Sequence, residues 1–268
     1  MPSEKPLVYL ILGAAGSGRR EVLADLIDGG LVEGDNAMVL LATSETANEF
    51  DAKLGELKRW TWTDGMISAP DDALAGDVTH VFVVTEGRTN PVDQIEAFKP
   101  WIDANGGELG RVLTVVNCKL AEQHKPLIAW YEACIHFSDI VLLAHRDGVA
   151  NKWLSDFQNR FKDQFFPCVF EFVKGGRVKN PALILDPQPR RMSHYFDEPE
   201  WLVDGVDAEE DIEMGEGDGD EPGEVGEEEE VEVTQAEDPY MERLSGGHRV
   251  KVLPDIAKYL DGSTAKHV

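Results

Sequence analysis

Apolar residues along the chain gather in short unbroken blocks: LVYLIL (7–12), AMVLLA (37–42), THVFVV (79–84), RVLTVVN (111–117) and DIVLLA (139–144). Blocks of this length without in–out alternation fit strands covered on both faces of a parallel sheet. Between them, apolar positions recur every three to four residues and predict helices over 19–28, 91–104, 121–137 and 150–165. Gly29-Gly30 supplies a stop for the first helix and Pro91 a start for the second. Trp153, Phe157 and Phe161 stand four apart on one face of the last, a spacing that reads as core packing. Strand and helix alternating over residues 7–165 predict an α/β fold with a doubly wound, mostly parallel sheet. Ligands of such sheets bind beyond the carboxyl ends of the strands, which singles out the loops 13–18, 43–48, 85–91, 117–120 and 145–149.

The pattern changes after residue 165. CVFEFV (168–173) fits one further strand, so the α/β domain is expected to span 1–173. Residues 174–202, rich in Pro, Gly, Arg and aromatics, read as a loop segment that wraps the body. Residues 203–238 carry 18 Asp and Glu and no Lys, Arg or His. Such a stretch buries too little apolar surface to offset ordering, so it is expected to be a disordered acidic linker. Within 239–268, RVKVLPDIAKYL (249–260) regains apolar and basic residues and reads as a short segment that docks on the body or binds a protein partner.

The charge follows this division. The whole chain has a net charge of −26, but removing the acidic stretch leaves 33 acidic against 25 basic residues. Clustered Lys and Arg, the source of phosphate-backbone affinity, are missing, so no nucleic-acid partner is expected. Three scattered cysteines, Cys118, Cys134 and Cys168, suit a reducing compartment and show no metal-ligand spacing with the histidines. The longest early apolar run, Leu7–Leu12, is too short for a signal core or a membrane span. A cytoplasmic protein with no membrane association is the expectation.

The chemistry concentrates in Gly13-Ala14-Ala15-Gly16-Ser17-Gly18, which joins the first strand to the first helix. In the phosphate-loop motif G-x-x-x-x-G-K-[ST], successive backbone N–H groups surround a phosphate, aided by the positive end of the following helix. The glycine spacing and the strand–helix context match that motif, so the fold is expected to be of the P-loop NTPase type. Arg19 stands where the motif has Lys, and Arg20 where it has Ser or Thr. Arg19 keeps a positive charge in a planar fork. Arg20 removes the hydroxyl that ligates Mg²⁺ and would repel the metal. A phosphate-binding loop with altered hydrolytic equipment is expected, and Mg²⁺ is doubtful.

Further motifs in the same order resemble the CobW-type (CobW/HypB/UreG-like) P-loop GTPases. HVFVVTEGRTNP (80–91) is similar to the strand and Glu-Thr-Thr-Gly-x-Ala-x-Pro loop of that family, with Gly87 and Pro91 in place, Thr85 and Glu86 at the two threonine positions and Val84 at the acidic one. RVLTVVNC (111–118) is similar to the strand ending in Val-Asp, with Asn117 for the aspartate. DIVLLAHRDGV (139–149) is similar to the strand leading into Asn-Lys-x-Asp, with Ala144 and His145 replacing Asn and Lys and Asp147 matching the aspartate. The resemblance implies GTP or GDP as cofactor and Asp147 as the guanine-reading carboxylate, which would accept two N–H bonds from the base edge. Asp147 as a helix cap near residue 150 is the alternative. Glu86, the one carboxylate of its loop, is a weak candidate catalytic residue that would hold Mg²⁺ through water; it also reads as a solvated residue or a partner for Arg88. The family's Cys-x-Cys-Cys motif is absent, RWTWTDG (59–65) occupying its region, and no metal site is assigned. Asn48-Glu49-Phe50 matches part of the family's Asn-Glu-Phe-Gly, but Asp51 replaces the Gly and the offset from the strand is too long.

Three functional readings remain open at this point. One is a CobW-like protein with a degenerate nucleotide site, either a weak guanine-nucleotide binder or a regulatory module; if active, it is a GTP hydrolase. Another is a non-enzymatic interaction scaffold with an acidic arm, using residues 203–268 against a protein. The third is a small-molecule kinase or ATPase, with Arg177, Arg190 and Arg191 available to a lid.

Overall fold

A computed structural model describes residues 5–63, 65–197 and 238–260, which apart from Asp197 belong to one compact unit. The acidic stretch 203–238 lies outside the described residues except for Asp238, as do residues 198–202 and 261–268 of the neighbouring segments. The chain runs through β1 (Leu7–Leu12), α1 (Arg19–Gly30), β2 (Ala37–Ala42), β3 (Glu56–Thr63), β4 (Met66–Ser68), β5 (His80–Val84), α2 (Pro91–Ala104) and β6 (Glu108–Asn117). It continues through α3 (Cys118–Gln123), α4 (Lys125–His136), β7 (Ile140–Ala144), α5 (Asn151–Lys162), β8 (Val169–Phe172), α6 (Pro181–Leu185) and α7 (Ala257–Leu260).

The eight strands form one sheet in the order β4-β3-β2-β5-β1-β6-β7-β8, parallel throughout except for the short β3–β4 pair. β1 lies between β5 and β6, with Leu10 level with Val83 on one side and Val112 on the other. The loop after β1 therefore emerges at the middle of the carboxyl edge. Alternate residues of each strand serve two cores. Tyr9, Ile11, Phe82 and Val84 face α1 and α6, while Val8, Leu10, Leu12 and Val83 face α2, α4 and α5. The α/β, doubly wound, mostly parallel arrangement read from the sequence is the architecture observed.

The structure differs from the sequence reading at four places. The predicted helix 121–137 is two helices broken at His124, whose backbone is extended. Pro126 has no N–H to donate into a continuous helix, and it instead opens α4. α1 ends at Gly30, so the Gly29-Gly30 pair forms its last residues rather than lying just beyond it. Those glycines admit a neighbour: a Cβ on Gly30 would stand 2.8 Å from Leu185 Cδ1 and 3.2 Å from the Pro181 carbonyl carbon. The stretch 174–202 contains α6, held by Tyr9 Oη donating to the Leu185 carbonyl (2.6 Å) and by Arg111 Nη1 donating to the carbonyls of Leu183 and Ile184. Two strands, β3 and β4, have no counterpart in the apolar blocks.

The C-terminal residues pack on the α2/α4 side. Tyr240, Met241, Ile256 and Leu260 are buried in that core. Arg249, 9% exposed, pairs with Asp93 (2.8 Å) and Glu96 (2.5 Å) of α2 and donates to the Tyr240 carbonyl (3.0 Å). Asp238 accepts from Ser193 Oγ and lies 2.8 Å from His136 Nε2. Among the described residues no helix is long and apolar enough to cross a membrane.

Candidate functional site

The glycine loop is built for close approach of backbone. Gly13 adopts φ 143°, and a Cβ there would fall 2.5 Å from the Val115 carbonyl oxygen, so no other residue fits. Gly18, at φ 86°, is the N-cap of α1 and offers no side-chain cap. The first-turn amides of Arg19, Arg20 and Glu21 thus have no intrahelical acceptor and point out of the helix end. The loop is tied at other points. Ala14 N–H and Asn117 N–H both reach the buried Tyr131 hydroxyl, and Asn117 Nδ2 donates to the Gly16 carbonyl (3.2 Å). Burial pushes the Tyr131 phenol well above its ordinary value, so it stays neutral. Ser17 is fully buried beneath the loop, its hydroxyl without a hydrogen-bond partner.

The 85–90 loop presses against this turn from above. Gly87 accepts from Ala15 N–H (2.9 Å), and a Cβ on Gly87 would lie 2.3 Å from Ala15 N. Gln94, 2% exposed on α2, clamps that loop: its Oε1 accepts from Glu86 N–H (2.7 Å) and its Nε2 donates to the Glu86 carbonyl (3.0 Å) and Thr89 Oγ1 (2.9 Å). Asn90 caps α2 by accepting from Val92 N–H. The Glu86 side chain is half-buried and lines a cleft of about 330 Å³ together with Ala15, Gly16, Arg20, Glu45 and Leu260.

Arg19 and Arg20 do not extend into solvent; they are 4% and 9% exposed. Arg19 donates through Nη1 to the Thr85 carbonyl and through Nη2 to Glu45 Oε1 (2.5 Å). Arg20 donates through Nη2 to Glu45 Oε2 (3.0 Å) and through Nη1 to Asp51 Oδ1 (2.7 Å). Burial opposes ionisation of Glu45, yet the two guanidiniums, Arg19 foremost, outweigh it and hold the carboxyl below its ordinary value. Arg59 of β3 fixes the backbone beneath, donating to the carbonyls of Ala42 (3.1 Å) and Glu45 (2.8 Å). Glu45, Asp51, Gln94 and Arg59 escape the sequence reading. The only sequence signals were the position of Glu45 in the loop after the second strand and Asp51 beside Asn48-Glu49-Phe50.

Asp147 is exposed and lines a cleft of about 480 Å³ that also touches Gly18, His145, Lys174, Gly175 and Gly176. The fold thereby brings Asp147 and the end of the glycine loop to one opening, while Glu86 lines a different cleft of the same loop. Asp147 is not the cap of α5. The N-cap is Ala150, with no side-chain cap, and its N–H donates to Glu122 Oε1 (3.2 Å). Arg190 and Arg191 lie away from this edge. The Arg190 N–H (2.6 Å) and Arg191 Nη1 (3.4 Å) bind buried Asp139, which precedes β7 at the amino end of the sheet, so they form no lid over the loop. Burial raises the Asp139 carboxyl above its ordinary value despite these donors. Among the described residues no group of three or more His, Cys, Asp and Glu is placed to hold a metal ion.

No protein-family model and no curated protein matches the sequence. Among solved structures, the chain is similar to HypB from Helicobacter pylori in complex with nickel, at 12% identity and a TM-score of 0.43 over 66% of this chain and 80% of that one. It is also similar to the Zn(II)-bound YjiA GTPase from E. coli, at 15% identity and a TM-score of 0.39, covering 69% of this chain and 66% of that one. A third is the signal recognition particle receptor FtsY from Elizabethkingia anophelis in complex with GDP, at 14% identity and a TM-score of 0.45, with 70% and 64% covered.

Proposed function

We propose that the chain is a divergent CobW-like P-loop protein that binds a guanine nucleotide and serves a regulatory role, with little or no Mg²⁺-dependent hydrolysis. The observation that carries the proposal is the placement of Arg20. Mg²⁺ needs a near-octahedral shell of oxygens. At the hydroxyl position of the motif this chain puts a guanidinium, already paired with Asp51 and Glu45 at 2.7 and 3.0 Å. A guanidinium cannot ligate a metal, and the Asp51 and Glu45 oxygens beside it are already taken by the two arginines, so the residues present do not fit the metal. The nucleotide itself fits better. The loop amides at the start of α1 depend on no side chain and supply donors for phosphate oxygens. Asp147, on the cleft that opens at Gly18, has the carboxylate that two N–H groups of a guanine edge require.

The test is a thermal-shift titration with GTP, GDP, ATP and ADP, with and without Mg²⁺, on the wild type and Asp147→Ala. A ligand at about a hundred times its dissociation constant adds about 2.7 kcal/mol. Guanine-selective stabilisation that is indifferent to Mg²⁺ and lost in Asp147→Ala is expected. No shift with any nucleotide would refute the proposal. It would favour the second reading, an interaction scaffold with an acidic arm. One observation supports that reading: Ser193, ahead of the acidic stretch, and Asp238, its last residue, are fastened to each other and to His136 on α4.

A further inference from the structure

We infer that Glu45 is an internal substitute for a terminal phosphate, and that it makes the site selective for nucleoside diphosphates over triphosphates. The inference rests on the nucleotide-binding reading above. In a phosphate loop the backbone amides hold the α- and β-phosphates, and the basic side chain after the last glycine reaches the β- and γ-phosphates. Here the two tasks are separated. The amides at the start of α1 point out of the helix end, but the side chain of Arg19 is committed.

The Glu45 carboxylate sets one oxygen on each arginine, Oε1 on Arg19 and Oε2 on Arg20, as two oxygens of one phosphate would. The contact is a fixed part of the fold. The Glu45 side chain is 12% exposed, its backbone carbonyl is gripped by Arg59, and its N–H donates to the Ala42 carbonyl (3.0 Å). Arg19 is held on its other side by a second acceptor, the Thr85 carbonyl. A third phosphate entering beside Arg19 would face the Glu45 carboxylate and the Thr85 carbonyl that already hold its guanidinium. It would also have to break charge-assisted hydrogen bonds, which are the stronger kind. A diphosphate held by the amides alone meets neither obstacle.

The experiment compares competition by GDP, by the non-hydrolysable triphosphate GMPPNP and by inorganic pyrophosphate against a fluorescent GDP analogue. It uses the full chain without added metal, as wild type, Glu45→Gln and Glu45→Asp. Glu45→Gln removes the charge; Glu45→Asp keeps it but is too short to bridge both arginines. Circular dichroism identifies any variant that does not fold, and the other variant then supplies the comparison. GDP binding about tenfold or more tighter than GMPPNP in the wild type, with the ratio falling toward one in a Glu45 variant, is the expected result. Equal affinities in the wild type, or a ratio that no Glu45 variant moves, would overturn the inference while leaving guanine-nucleotide binding in place. If the fluorescent GDP analogue binds neither the wild type nor the variants, and GDP, GMPPNP and pyrophosphate all fail to stabilise them thermally, the nucleotide reading fails and this inference falls with it.

Discussion

Replacing Gly87 by alanine tests whether the glycine loop and the 85–90 loop are interlocked through their backbones. The added methyl would stand 2.3 Å from Ala15 N, 2.7 Å from Ala14 C and 2.7 Å from Arg19 Nη2. Two of those atoms are backbone, so no side-chain rotation relieves them, and the loops must separate by about 1 Å to regain ordinary contact. Separation sacrifices the Ala15–Gly87 hydrogen bond, worth about 1 kcal/mol, and adds overpacking strain of about 1–3 kcal/mol. A total of about 2–4 kcal/mol in a domain of this size lowers Tm by roughly 5–15 °C. Gly246→Ala is the control. Its Cβ would approach nothing nearer than His248 Cδ2 at 3.7 Å, and its cost should stay within about 0.5 kcal/mol. Differential scanning calorimetry on both variants decides the matter. If the melt of Gly87→Ala lies within about 1 °C of the control, the close approach of the two loops is wrong.

Three further measurements follow from other parts of the molecule. All three cysteines are buried, and burial pushes the Cys118 and Cys168 thiols up to about 12 and that of Cys134 well up, so a thiol reagent at pH 8 should label none until denaturant unfolds the chain. Rapid labelling of the native protein would contradict that packing. Because the Glu45 carboxyl is held below its ordinary value, the stability it contributes is fully present above pH 4.5 and is lost as pH falls through its lower folded value. Urea titrations should therefore show the wild-type advantage over Glu45→Gln shrinking as pH falls below 4.5, and a constant difference would disprove the pairing. Arg249→Met leaves Asp93 without its guanidinium and Glu96 with Arg243 alone, and should cost about 2–3 kcal/mol while exposing residues 238–260 to faster proteolysis. Unchanged melting together with an unchanged digestion pattern would show that this contact does not hold the segment.

The strands at the centre of the sheet were readable in the sequence because burial on both faces demands mostly apolar residues, and β1, β2, β5 and β7 have them, as does β6 around its buried Arg111 and Thr114. The start of α2 was equally local, set by Pro91 with Asn90 as its cap. β3 left no such trace. It is Glu-Leu-Lys-Arg-Trp-Thr-Trp-Thr with only Trp60 fully buried, because it lies one strand from the edge and carries its polar side chains into loop contacts. Gly29-Gly30 had the local chemistry of a helix end and α1 does end at Gly30, while only the approach of α6 shows that the pair also serves packing.

The sequence by itself determined that a glycine loop of phosphate-binding form joins the first strand to the first helix, since that depends on spacing and on backbone freedom. It also showed Arg19 and Arg20 where lysine and a hydroxyl belong. What those arginines do was decided by residues far along the chain. Glu45 lies 26 and 25 positions away from them and Asp51 31 from Arg20, while the Thr85 carbonyl lies 66 from Arg19. A guanidinium with several donors takes whatever acceptors the fold delivers to it. Only the parallel register, which brings the ends of β1, β2 and β5 to one edge, delivers a carboxylate in place of open solvent.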